Sequence, residues 1–116
     1  MTGNIIYRSV LRIKEIELTD MQRILSMDGE TFYLTGILSS KLLRLYDIDF
    51  QDGNRVKICI YAGTIIGDKY RPGYVSCYLI NKNDNKVGEE VISSTIEGQY
   101  KFFSNNKIYI LDIIGE

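Results

Sequence analysis

The sequence predicts an all-β fold: an antiparallel β-sandwich or partly closed barrel of roughly seven to nine strands, with one short helix near residues 20–27. Two observations lead to this prediction. Short runs of β-branched and aromatic residues recur along the chain, and clusters of Gly, Asn and Asp separate them. The chain has 116 residues and is expected to form a single domain over residues 1–116.

The N-terminal part of the chain predicts a strand. Apolar and charged residues interleave loosely over residues 4–18. This pattern indicates one long strand, or two short strands with a bulge near residues 9–11. The mixed charges suit the exposed edge of a sheet, where they would oppose pairing with another chain.

The helix follows from a capping-box pattern. Thr19 can accept a hydrogen bond from the amide of Gln22, whose side chain can reach back, and Gly29 is a natural stop. Residues 20–27 are therefore expected to be a short helix. A lid over the core is favoured over a partner-binding helix, because the helix is so short. Another strand is expected over residues 32–38.

A β-hairpin is predicted next, from strands over residues 42–50 and 55–61. A three-residue loop, Gln51-Asp52-Gly53, pairs Ile48 with Val56 and Tyr46 with Ile58 on one apolar face. A two-residue loop would mix apolar and charged residues on both faces, so the burial pattern selects the longer loop. We expect a type I turn followed by Gly53 in a left-handed bulge.

The stretch over residues 62–73 is the least regular part of the sequence and is predicted to be a loop. Pro72 and Gly73 fit the centre of a type II turn. Tyr70 and Arg71 belong to residue types that are favoured at interface hot spots. Together with Tyr74, which can stand on an outer sheet face, they are the candidate protein-interaction residues.

The C-terminal third alternates strands with turns. Its strands are expected over residues 74–80, 91–96, 100–102 and 107–114, and turns rich in Asn and Gly separate them. Val75, Cys77 and Leu79 share one face of the first strand. In the later strands the core faces are expected to carry the following residues: Tyr100 and Phe102, then Tyr109, Leu111 and Ile113.

This order resembles the prealbumin-like β-sandwich of transthyretin-type, carboxypeptidase regulatory-type and collagen-adhesin B-type domains. The residues that carry the resemblance are 83–86, 94–95, the acidic-Gly-x-Tyr-x-Phe step at 97–102, and 109–111. The resemblance implies a non-catalytic module. The Lys–Asn isopeptide bond of some collagen-adhesin domains is not expected, because the last strand offers Asp112 but no Asn.

Composition excludes several function classes. The formal net charge of −1 gives no electrostatic basis for binding nucleic acid. No apolar run is long enough for a membrane span, and no signal peptide is visible, so a virion or cytoplasmic location is expected. The chain has no His, which removes the commonest general base and transition-metal ligand. Cys59 and Cys77 are expected to be buried thiols rather than a disulfide.

No catalytic, cofactor-binding or metal-binding residues are predicted. Asp47, Asp49 and Asp52 could supply oxygen ligands for a calcium ion, but their spacing is not that of the helix-loop-helix calcium motif. Strand alternation instead places Asp47 and Asp49 on the solvent face.

We therefore expect a non-catalytic structural or assembly module, and not an enzyme. The preferred setting is a virion, as a phage tail, baseplate or capsid-associated protein whose partners are other proteins or copies of itself. The alternatives are a small inhibitor or immunity-type protein that binds one enzyme, and a surface domain that binds glycans or proteins.

Overall fold

The computed structural model describes residues 3–25, 42–66 and 69–116. The elements are β1 (Ile5–Ile13), α1 (Glu15–Leu25), β2 (Leu42–Asp49), β3 (Arg55–Tyr61), β4 (Thr64–Ile66), β5 (Lys69–Arg71), β6 (Tyr74–Ile80), β7 (Lys86–Ser93), β8 (Gly98–Ser104) and β9 (Lys107–Gly115). The strand predicted over residues 32–38 lies outside the described residues. Within the described part, no helix is long and apolar enough to cross a lipid bilayer.

The strands form a β-sandwich, as predicted, with no closed barrel among the described residues. One sheet has the strand order β2-β3-β6-β7, the other has the order β1-β9-β8, and β4 and β5 form a separate small hairpin. One pair departs from the predicted antiparallel pattern, because β1 runs parallel to β9. Ser9 Oγ on β1 donates to the Asp49 carbonyl on β2 over 2.7 Å, which joins the two sheets along one side.

The core lies between the two sheets and is almost entirely apolar. The four-stranded sheet contributes Val56, Ile58, Val75, Cys77 and Leu79, all fully buried. The three-stranded sheet contributes the residues predicted for it: Tyr100, Phe102, Tyr109, Leu111 and Ile113. Strand alternation places these residues on one face of each sheet, so hydrophobic burial holds the two sheets together.

The helix begins earlier than predicted, at Glu15 rather than at residue 20, and β1 ends at Ile13 without a bulge. The Lys14 carbonyl accepts the first helical bond, from the Leu18 amide over 2.9 Å. Thr19 is therefore inside the helix and not its N-cap, and its hydroxyl donates to the Glu15 carbonyl.

The helix closes the core as a lid. Its buried residues are Leu18, Met21 and Leu25, which recur at helical spacing on one face. Met21 also accepts a hydrogen bond at its sulfur from the Tyr46 hydroxyl over 3.6 Å. These contacts turn the apolar side of α1 toward the space between the sheets.

The predicted register of the β2–β3 hairpin is confirmed. Ile48 pairs with Val56 and Tyr46 pairs with Ile58. The Gly53 amide donates to the Phe50 carbonyl over 3.1 Å, and Gly53 has a φ of 90°. Glycine adopts this left-handed region without the steric cost of a Cβ atom, which fits the predicted bulge.

The prediction of an irregular loop over residues 62–73 is wrong in part, because β4 and β5 pair within it. The predicted type II turn is also wrong, because Gly73 is not among the described residues that have a positive φ. Gly73 is instead required by a close approach of two backbones. A Cβ atom on this residue would lie 2.6 Å from the Tyr61 carbonyl oxygen.

The two cysteines are free and buried, as predicted. Cys77 pairs with Ile58 on the core face, whereas Cys59 pairs with Ser76 on the opposite face. Successive residues of a strand point to opposite sides of the sheet, so the register separates the two thiols. Burial raises the pKa of the Cys77 thiol to about 12, which keeps it protonated.

A partly buried polar contact ties the β2–β3 turn to the central strand β9. The Tyr109 hydroxyl donates to Asp52 Oδ2 over 2.6 Å and accepts from Asn54 Nδ2 over 2.8 Å. The Tyr109 ring stacks on Tyr7 with 5.3 Å between centroids, and the edge of Phe50 lies 5.0 Å away. Burial of Asp52 alone would raise the pKa of its carboxyl, but hydrogen bonds from Tyr109 and the Asn54 amide lower it below its ordinary value.

Candidate protein-interaction face

Strand pairing gathers aromatic and apolar side chains on the outer face of the four-stranded sheet. Tyr61 pairs with Tyr74, and Cys59 pairs with Ser76. Each of these four residues alternates along its strand with residues that face the core. Side chains that alternate with core residues point away from the core. We call the resulting surface the tyrosine face, which comprises Leu42, Leu45, Cys59, Tyr61, Tyr74, Ser76, Tyr78 and Ile92.

The apolar rim of the tyrosine face is open to solvent, whereas its centre is buried. Leu45 is 47% exposed and Ile92 is 59% exposed. Cys59 and Ser76, between them in the sheet, are only 4% and 3% exposed. Contiguous apolar side chains that are exposed on a folded protein mark candidate sites for binding other proteins.

The tyrosines pack against one another and against the Cys59 thiol. The Tyr61 and Tyr74 rings stack with 5.0 Å between centroids and an interplanar angle of 27°. Burial raises the pKa of Tyr61 to about 12, and a hydrogen bond with Cys59 adds to the shift. Burial likewise raises the pKa of Tyr78. These hydroxyls therefore remain neutral hydrogen-bonding groups at physiological pH.

Ion pairs occupy the other end of the same outer face. Arg55 Nη1 lies 3.1 Å from Asp47 Oδ2, and Arg55 also pairs with Asp84. Lys86 Nζ lies 3.2 Å from Glu90 Oε1. Acidic and basic side chains thus balance each other, and the outer sheet face changes from charged to apolar along the strands. As predicted, Asp47 is on this outer face.

A shallow pocket borders the tyrosine face. It has a volume of about 350 Å³ and is lined by residues from the start of β6 and the end of β7: Pro72, Gly73, Tyr74, Ile92, Ser93 and Ser94. The polar groups of this lining are the hydroxyl-bearing side chains of Tyr74, Ser93 and Ser94. Its apolar and hydroxyl groups suit a side chain of another protein.

Of the predicted interaction residues, Tyr74 lies on the tyrosine face. Tyr70 and Arg71 belong to β5, and their side chains lie outside the described part of the structure. The β4–β5 hairpin connects β3 to β6 and joins both strands at the end where Tyr61 pairs with Tyr74. The backbone therefore brings the predicted segment to the same end of the sheet.

Other residues of the face were missed by the sequence reasoning, chiefly Leu45, Tyr61 and Ile92. The alternation of Arg55–Tyr61 already indicated which of its residues oppose the core. Leu45 and Ile92 could be added to the face only once β2 and β7 were known to lie next to β3 and β6. Side chains on adjacent strands form one surface only in a defined register.

Two of the three acidic side chains of the β2–β3 hairpin have partners within the chain. Asp47 pairs with Arg55, while Asp52 accepts hydrogen bonds from Tyr109 and from the Asn54 amide. Among the described residues, no group of three or more His, Cys, Asp or Glu side chains is arranged to hold a metal ion.

Comparison with protein-family models, with curated proteins and with solved structures found no match. The resemblance to prealbumin-like sandwiches stays a prediction.

Proposed function

We propose that the protein is a non-catalytic structural or assembly module that acts through protein–protein contacts at the tyrosine face. The observation that supports this most is the exposure of Leu45 and Ile92, at 47% and 59%, beside stacked tyrosines on a regular sheet. A solvent-facing sheet side normally alternates polar residues with the buried ones. Covering an apolar rim in that position with another protein is favourable, because apolar surface is removed from water.

Copies of the chain are the first partner to test. The charges at the other end of the sheet are balanced, since Arg55 pairs with Asp47 and Lys86 pairs with Glu90. Two such faces can meet about a two-fold axis without a surplus of like charges. Self-association of this kind suits an assembly protein, and a phage tail, baseplate or capsid-associated role is the setting that we propose.

Native mass, measured by light scattering over a concentration series, tests the proposal. We expect a closed oligomer of defined number whose population rises with concentration. Ile92→Glu should shift the population toward monomer, because it places a charge in the apolar rim. Ile16→Glu is the matched control: Ile16 is 72% exposed on α1 and lies away from the sheet, so the mass should not change.

Other results would favour the alternatives. A monomer at every concentration that captures one enzyme in a one-to-one complex would indicate an inhibitor or immunity-type protein. Binding to glycans that Tyr70→Ala or Tyr74→Ala abolishes would indicate a surface glycan-binding domain. Either result would replace the assembly proposal.

A further inference from the structure

The outer face of the three-stranded sheet is also apolar. Cross-strand pairing places Ile6, Ile108 and Phe103 in one row, and Arg8, Ile110 and Lys101 in the next. We call these six residues the basic face. Ile6 is 53% exposed and Phe103 is 63% exposed, so this row is open to solvent.

The central strand of this sheet is apolar on both sides. Tyr109, Leu111 and Ile113 face the core, and Ile108 and Ile110 alternate with them on the outer side. A strand that is apolar on both faces is typical of a sheet that is covered on both faces. Its composition therefore indicates that the outer side is also covered when the protein functions.

The charge of the three strands is one-sided. On their outer side they carry Arg8, Arg12 and Lys101 but a single acidic residue, Asp112. Asp112 accepts a hydrogen bond from Gln99 Nε2 over 3.0 Å and offsets one of these three positive charges. Lys107 belongs to the other side of β9, where its Nζ lies 3.7 Å from Asp52 Oδ2. The whole chain has a net charge of −1, so this basic character is local to the sheet.

Arg8 and Lys101 determine which kind of partner fits. They lie on either side of Ile110, which is 6% exposed. Two copies that met through this face would bring guanidinium and ammonium groups together, and juxtaposed like charges oppose association. A partner that complements the face carries carboxylates beside an apolar strip.

We propose that the basic face is a second docking surface, which binds an acidic protein segment whose apolar side chains cover Ile6 and Phe103. This deepens the proposed function, because the module would then join two proteins through opposite sides of one sandwich. It rests on different residues from the tyrosine face. Loss of self-association in Ile92→Glu and loss of acidic-segment binding are therefore separate observations.

The test uses two synthetic peptides of the same length as β9, capped at both ends. In one, isoleucine alternates with glutamate, and in the other it alternates with lysine. Binding to the full chain is measured by fluorescence anisotropy and located by amide chemical shifts. We expect the glutamate peptide to bind about tenfold or more tightly than the lysine peptide, to weaken with added salt, and to shift the amides of β8 and β9.

Charge reversal provides the control. In the double variant Arg8→Glu/Lys101→Glu the preference should invert, so that the lysine peptide binds more tightly. Lys14→Glu/Lys82→Glu changes the net charge equally at two exposed positions outside both faces, and it should keep the preference for the glutamate peptide. Circular dichroism of each variant verifies that it is folded.

Four outcomes would overturn the proposal. The first is equal binding of the two peptides, and the second is a set of amide shifts outside β1, β8 and β9. The third is sedimentation with phosphatidylserine vesicles without any peptide preference, which would make the basic face a membrane-surface site. The fourth is a fall in native mass caused by Arg8→Glu/Lys101→Glu, which would make it a contact between copies.

Discussion

Replacing Tyr109 by Phe should destabilise the protein in a way that depends on pH. The substitution keeps the ring, and with it the packing on Tyr7 and Phe50. It removes the hydroxyl that donates to Asp52 Oδ2 over 2.6 Å. A hydrogen bond to a charged group contributes about 1.5–3 kcal/mol. The Asp52 side chain is only 12% exposed, so water replaces the lost donor poorly, and we expect a loss of about 2 kcal/mol at neutral pH.

The pH dependence follows from the direction of the Asp52 shift. Its carboxyl pKa is lower in the folded protein than its ordinary value. The corresponding stabilisation is complete above the unfolded-state pKa of about 3.9 and is lost as the pH falls through the folded-state value. Tyr109→Phe removes one cause of the lowering. The difference in unfolding free energy between the two proteins should therefore be largest near neutral pH and shrink in acid.

Urea denaturation followed by circular dichroism, at about pH 7 and about pH 3, measures this difference. Tyr100→Phe is the matched control. Tyr100 is also buried, but its hydroxyl donates to two neutral acceptors, the carbonyls of Thr95 and Ile96 at 2.7 and 2.8 Å. Its effect should be the same at both pH values. Equal pH dependence in the two variants would refute the reasoning about Asp52.

Three further predictions concern the backbone and the thiols. Gly73→Ala should destabilise by about 1–3 kcal/mol in urea denaturation, because its Cβ atom would lie 2.6 Å from the Tyr61 carbonyl oxygen; an unchanged midpoint would contradict this close approach. Gly53→Ala should cost about 1 kcal/mol, since φ is 90° there, and Gly53→Asn should cost less. Cys59 and Cys77, 4% and 0% exposed, should react with a thiol reagent only after unfolding; rapid labelling of the native protein would show that the sheet opens.

Local patterns in the sequence were sufficient for β6, β8 and β9 and for the β2–β3 hairpin. The strand predicted over residues 91–96 was misplaced, because β7 spans Lys86–Ser93. In the hairpin, a shift of one residue would have exchanged the apolar and charged faces, so the pairing of Ile48 with Val56 was determined by burial alone. The buried rows of β6 and β9 follow from the same alternation.

The local sequence pattern did not show that the helix begins at Glu15. Ile16 and Leu18 continue the loose apolar alternation of β1, which fits a strand as well as a helix. The helical signal lies in the spacing of Leu18, Met21 and Leu25, whose common face becomes clear only once all three are assigned to the core.

The two outer faces depended on pairings between distant parts of the chain. Nothing local to β1 shows that it runs beside β9, because the two strands are separated by most of the sequence. Without that pairing, Ile6 and Ile110 could not be placed on one surface. The near-continuous apolar run of Lys107–Gly115 was nevertheless a visible signal that both sides of β9 are apolar.

The most direct test of the central claim is to locate the contact between copies of the chain. Backbone amide chemical shifts are measured over a concentration series that spans the change in native mass. The proposal predicts that concentration-dependent shifts concentrate on β2, β3, β6 and β7, strongest near Leu45, Tyr61, Tyr74 and Ile92, and that Ile92→Glu removes them. Shifts confined to other elements, or no shifts while the native mass rises, would contradict assembly through the tyrosine face.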